Sequence, residues 1–178
     1  MKNLITIQKT FKVFKTLSKV AMILAFVGCG LTLIGLLCAI VWYHGGKVYG
    51  ADLETMIGLT KASGLFPMIG VLLSDAVLAL TDGLLFLFAW RYFKTEQADG
   101  TPFTHNGADQ IRSLGIKTIV MPLVAAIISA VIYGCFGMTN APDWSNAVSV
   151  ELGIVLILAS LVFHYGAELE TAKQEDLP

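Results

Sequence analysis

Apolar positions along the chain gather into four long runs, approximately residues 20–43, 66–93, 111–137 and 147–165, separated by shorter polar stretches. Each is close to or above the roughly 20 residues that a helix needs to cross about 30 Å of hydrocarbon. None shows the ten-residue alternation of a barrel strand, and a segment in lipid must satisfy its own backbone hydrogen bonds, so the pattern predicts four membrane-spanning helices. The second and third runs are long enough to tilt or to project beyond the bilayer. Residues 1–19 follow another pattern. Leu4, Ile7, Phe11 and Phe14 recur at three- and four-residue steps, with Lys9, Lys12, Lys15 and Lys19 mainly to one side. That is the pattern of an amphipathic helix lying in the membrane surface. Residues 166–178 form a short polar tail. The expectation is a single membrane domain over residues 1–178, an all-α integral membrane protein built as a four-transmembrane-helix bundle with an amphipathic N-terminal helix.

Composition agrees. Of 178 residues, 56% are hydrophobic and 14% charged, with a mean hydropathy of +0.73, against about 45–50% apolar and about 25% charged in soluble chains. No length remains for a separate soluble domain. A cleaved leader is the rival reading for the first run, because "FVGC", ending at Cys29, is a near miss to a lipoprotein processing site. The chain stays apolar through "GLTLIGLLCAIVW", where a processed protein should turn polar, so the run is expected to remain as a span.

Charge sets the expected orientation. Lys2, Lys9, Lys12, Lys15 and Lys19 precede the first span, Arg91, Lys94, Arg112 and Lys117 flank the middle connection, and Lys173 is in the tail, which makes ten of the twelve basic residues. Only Lys47 and Lys61 belong to the first loop, and "MTNAPDWSNA" has none. The positive-inside rule then places both termini in the cytoplasm. Trp42, Tyr43, Tyr133 and Trp144 are expected at the outer interface, and Trp90, Tyr92 and Tyr165 at the inner one.

Two aspartates interrupt the second run, "LLSDAVLALTDGLLFLFAW". A charge at the centre of a span costs about 3 kcal/mol on insertion scales, so Asp75 and Asp82 mark a candidate polar site. They stand seven residues apart and share a face, with Ser74 and Thr81 repeating the spacing, and the stripe is expected to point into the bundle. With the helix centred near Ala79, Asp75 lies roughly 6 Å outward and Asp82 roughly 5 Å inward. The expected partners are Lys117 and His164 on the inward side and Glu151, as an acidic pair with Asp75, on the outward side. Cys29, Cys38 and Cys135 lie inside spans without metal-ligand spacing and read as small buried hydrophobes. Phosphate-loop, zinc-protease and serine-hydrolase motifs are missing from the sequence, so neither an enzyme nor a cofactor is expected. Ala126, Ala130 and Gly134, spaced by four, form a row at which a neighbouring helix is expected to pack closely, and Gly28, Gly30 and Gly35 thin the first helix similarly. Pro122 falls inside the third span, where it is expected to bend the helix.

The middle connection, "RYFKTEQADGTPFTHNGADQIRSLG", runs from a charged helix end through a Gly-containing turn to Pro102 and Phe103. Thr104 is placed to cap the next helix. The segment is too short and too close to the membrane for direct nucleic acid binding.

This stretch and the ending "FHYGAELETAKQEDL" resemble the two characteristic segments of a bacterial membrane family known as domain of unknown function 2975. Its patterns are similar to "GxPFTxENxxxLRxIG" and "FxxGxxLxxExD". The residues that carry the resemblance are Pro102, Phe103, Thr104, Asn106, Arg112 and Gly115, then Gly166, Leu169, Glu170 and Asp176. His105 and Gly107 depart from the family's usual glutamate and asparagine. The resemblance implies a small four-span protein of the bacterial plasma membrane, of no established activity, whose gene often neighbours that of a small Cro-repressor-like regulator.

Two functions of different kinds follow. One is a regulatory or accessory membrane protein whose cytoplasmic loop and tail meet a soluble partner, for which a small helix-turn-helix regulator is a candidate. The interaction residues would be Pro102, Phe103, Thr104, Asn106, Arg112, Gly166 and Glu170. The other is a small proton- or cation-coupled transporter using Asp75 and Asp82. Membrane lipid is a partner of either, and a second copy of the chain is left open.

Overall fold

A computed structural model describes residues 2–43, 65–99, 104–138 and 148–175. These residues form four helices in chain order: α1, Lys2–Tyr43; α2, Leu65–Asp99; α3, His105–Cys135; and α4, Val148–Glu175. All four are long and apolar enough to cross a membrane, over Lys9–Val41, Leu65–Ala98, His105–Cys135 and Val150–Leu169.

Side-chain contacts set an up-down-up-down order. Lys15 Nζ donates to Gln97 Oε1 at 2.8 Å, and Phe11 and Phe14 pack on Phe93 with ring centroids 6.1 and 5.5 Å apart, so α1 begins beside the end of α2. Farther along, Phe26 covers Gly83, Cys29 Sγ reaches the carbonyl of Ala76 at 3.6 Å, and Ala39 packs with Met68 and Leu72. Tyr92 of α2 forms a core with Ile111 and Leu114 of α3, into which Leu156, Ala159 and Phe163 of α4 pack. Both termini and the α2–α3 connection therefore lie at one end. Neighbours in sequence are the main neighbours in space, α1–α2 most extensively.

The N-terminal segment departs from expectation. Residues 2–43 are one helix, with no separate amphipathic helix lying flat. At about 1.5 Å per residue this helix is roughly 63 Å long, far beyond a hydrocarbon core of about 30 Å. At Phe11 and Phe14 it runs beside α2, and both rings rest on Phe93.

Close packing between α3 and α4 also falls elsewhere than expected. A Cβ on Gly115 would stand 2.9 Å from the backbone oxygen of Gly153, and one on Gly153 would stand 2.9 Å from that of Gly115, so the two backbones touch. At Gly134 nothing lies within 4 Å and Ala130 is exposed, and Gly28 and Gly30 are equally open. A spacing of four identifies a face but not what that face meets. From the Gly115–Gly153 contact, α4 begins near the level of Pro122, so the outward half of α3 extends past it. The helix continues through Pro122 and ends in a Schellman turn: Gly137 takes φ +69°, its N–H donates to Gly134 O, and that of Met138 donates to Tyr133 O at 2.9 Å.

The three cysteines are free, Cys29 and Cys38 half-buried and Cys135 exposed, so Cys135 is not the buried hydrophobe expected. Tyr92 is 5% exposed inside the core rather than an interfacial anchor, whereas Tyr165 is 63% exposed. The side chains of Trp42 and Tyr43, together with Lys47, Lys61 and Trp144, lie outside the described residues.

Candidate functional site

The candidate site forms where α2 hands over to α3. Thr104 has extended backbone angles, φ −114° and ψ 146°, and its Oγ1 accepts from the Gly107 N–H at 2.9 Å, as expected of an N-cap. Gly107 has no side chain, and Glu96 of α2 uses that vacancy. A Cβ on Gly107 would collide with Glu96 Oε1 and stand 2.9 Å from Thr104 Oγ1. Glu96 is fully buried, so its carboxyl is held against the first turn of α3, where the helix dipole favours negative charge.

The other helices close around this corner. His105 and His164 meet edge to face with ring centroids 5.0 Å apart, joining the start of α3 to the late part of α4. Ala108 and Ala167 are 1% and 3% exposed, small enough for the helices to draw close. Around them His105, Asn106, Asp109, Arg112, Glu168 and Leu169 are exposed, a polar surface above a packed base. Gln110 Nε2 donates to Asn106 Oδ1 at 3.2 Å and steadies the first turns.

Of the expected interaction residues, the structure brings Thr104, Asn106 and Arg112 to this end together with Gly166. Pro102, Phe103, Asp176 and the side chain of Glu170 lie outside the described residues. Sequence reasoning missed Glu96. It sits in "KTEQADG" among other polar residues, and only the absence of a side chain at Gly107 hinted that something must fill the space.

The expected intramembrane site is not assembled. Asp75 and Asp82 are both exposed on α2, although Ser74, one position away, is 1% exposed. The reason is the placement of α4. Seven residues beyond Asp82, Ala89 is packed in the cluster that α4 completes, but α4 begins too far inward to cover the same face at Asp82 or Asp75. Lys117 is bound elsewhere, its Nζ 4.3 Å above the Phe88 ring, about 9 Å along the axis from Asp82. His164 lies at the Glu96 corner, roughly 20 Å from Asp82. Glu151 is exposed near the level of Phe86, roughly 15 Å from that of Asp75, so the acidic pair does not form. Thr81 spends its hydroxyl on its own helix, donating to Val77 O at 2.9 Å. Among the described residues no three His, Cys, Asp or Glu side chains group as metal ligands.

No protein-family model, curated protein or solved structure matches this chain.

Proposed function

We propose that the chain is a regulatory or accessory protein of the bacterial plasma membrane, with its four helices crossing the bilayer and both termini in the cytoplasm, and that its cytoplasmic corner engages a soluble partner. The observation that carries this reading is the meeting of His105 with His164, which joins two segments far apart in sequence into one exposed polar surface. They are the same two segments that resemble the family of domain of unknown function 2975. Membership of that family, and a small helix-turn-helix regulator as the partner, belong to the same proposal. The gathering of Lys9, Lys12, Lys15, Lys19, Arg91, Lys94 and Arg112 toward this end supports its cytoplasmic placement.

The test is affinity purification in mild detergent, comparing the natural chain with Asn106→Ala/Arg112→Ala, two exposed changes that leave the packed base intact. A stoichiometric soluble protein retained by the first and lost by the second is expected. Equal recovery with both, or none with either, removes the corner as a docking surface. Reporter fusions at residues 3 and 175 should both read the cytoplasm.

The alternative of a proton- or cation-coupled carrier keeps one observation in its favour, the accessibility of Asp75 and Asp82 on a single face. Against it stands the dispersal of Lys117, Glu151 and His164. Proton flux in proteoliposomes that vanishes in both Asp75→Asn and Asp82→Asn would favour the carrier.

A further inference from the structure

Between α2 and α3, about one turn from the Glu96 corner toward the middle of the bundle, the two helices leave a cleft of 120 Å³. Its walls bring together Arg91 and Tyr92 from α2 with Gln110, Ser113 and Lys117 from α3, over Phe88. No acidic side chain lines it. Glu96, the nearest acid along α2, is held against the start of α3. The cleft is far smaller than the roughly 300–1,000 Å³ of a metabolite or drug site, but large enough for one compact anion.

Three features give this cleft the chemistry of a phosphate site. Arg91 and Lys117 bring two basic groups from different helices, with no carboxylate among the residues that line the cleft. The face of Phe88 holds the Lys117 ammonium at 4.3 Å, which fixes a flexible side chain in place and leaves its remaining hydrogens for an acceptor. Tyr92 is 5% exposed, and its hydroxyl is buried without a hydrogen-bond partner among the described residues. A buried hydroxyl without a partner is uncommon in native proteins and calls for a ligand or water. Ser113 and Gln110 can add neutral donors. A guanidinium, an ammonium and a phenol lining one small space suit an oxyanion with several acceptor oxygens.

Position points to the source. Arg91 stands near the inner end of the apolar run of residues 66–93 and Lys117 near the start of that of residues 111–137, so the cleft lies near the depth of lipid phosphates if the helices cross the bilayer as proposed. Basic pockets between helices at the cytoplasmic face are suited to anionic headgroups. We infer that the Arg91–Tyr92–Lys117 cleft binds a phosphate-bearing anion, supplied by the headgroup of an anionic phospholipid. The lipid source rests on the membrane reading above, whereas the phosphate chemistry rests on the cleft alone.

The experiment uses the full chain purified in detergent and placed in nanodiscs of phosphatidylcholine containing increasing phosphatidylglycerol. Native mass spectrometry counts retained lipid, and the variants are Lys117→Gln, Arg91→Gln, Tyr92→Phe and, as a control outside the cleft, Lys94→Gln. Preferential retention of phosphatidylglycerol is expected, weakened about tenfold by Lys117→Gln or Arg91→Gln, more modestly by Tyr92→Phe, and unchanged by Lys94→Gln. Melting temperature reads whether each variant is folded. A folded Lys117→Gln that retains phosphatidylglycerol as the natural chain does would overturn the proposal, as would equal retention of phosphatidylcholine. If Lys94→Gln weakens retention as much as Lys117→Gln, the attraction is diffuse and the site is refuted. Titration with inorganic phosphate separates the sources: competition at millimolar phosphate assigns the cleft to free phosphate, and none assigns it to lipid. Carbonate extraction of membranes tests the bilayer reading separately, since release of the chain would exclude the lipid source while the phosphate titration still decides on the cleft.

Discussion

The two ends of the bundle are built differently. At the end that gathers both termini, Glu96, Ala108 and Ala167 are almost completely enclosed, and all four helices contribute to the packing around Phe93, Tyr92 and the His105–His164 contact. Outward from Gly83, α4 is missing from the set, and α1, α2 and α3 leave Asp75, Asp82, Leu123, Ile127, Ala130 and Val131 exposed. Ionisable groups follow the same division in an unexpected sense. Among the described residues the most deeply buried acid is Glu96, outside the run that the aspartates interrupt, whereas the aspartates are open. Depth along a helix and burial within the fold are separate quantities, and a sequence reports the first far better than the second.

The contrast can be broken at its tightest point. Gly115→Leu should separate α3 from α4, because even a Cβ would stand 2.9 Å from the Gly153 carbonyl. The expected loss is about 3 kcal/mol of stability in detergent, the upper end for overpacking, read by thermal melting. Gly134→Leu, in open space, should melt as the natural chain does. Equal effects from the two would contradict the described α3–α4 seam.

Glu96→Ala comes next. It empties a fully buried position beside Gly107 and removes a carboxyl from the positive end of α3. About 2 kcal/mol should be lost, within the range for removing one member of a buried polar set. Hydrogen exchange should rise first in residues 104–112, and protection that is unchanged there would show that Glu96 does not hold the corner.

Thr104→Ala tests the cap by itself. Losing the bond to the Gly107 N–H should cost about 1 kcal/mol, and Thr104→Asn should restore most of it, again by melting. No difference between alanine and asparagine would assign the effect to something other than capping.

The smallest change is expected at Asp82→Leu. Thr81, Lys117 and His164 all have other contacts, so no partner is stranded, and stability in detergent should stay within about 0.5 kcal/mol of the natural chain. A loss above about 1 kcal/mol would mean that Asp82 takes part in a network absent from the described contacts.

Helix number was legible from the apolar runs, because a span of about 20 residues is a strong signal in one dimension. The Thr104 cap was legible too, since its bond is local. What failed was every inference that needed the third dimension. Ala126, Ala130 and Gly134 have the right spacing for a seam but extend past the start of α4, while the working seam rests on Gly115 and Gly153, neither of which has a glycine or alanine four positions away to mark it. His164 was expected within reach of Asp82 because the helix limits in the sequence were set by hydropathy, and α4 is displaced inward by several turns. Glu96 was hidden because its significance depends on a neighbour, Gly107, that is defined by what it lacks.

The serial packing of the helices carries a further consequence for how the chain is made. Each helix rests mainly on the one synthesised just before it, so contacts can form in the order of emergence from the ribosome, α1 with α2 first and α3 with α4 last. Pairing between successive segments keeps contact order low, which favours fast formation and spares the nascent chain long waits with unmet surfaces. The His105–His164 meeting comes late in this sequence, because it joins the start of α3 to the second half of α4. The corner that would greet a cytoplasmic partner thus forms late, and its presence shows that translation has passed residue 164.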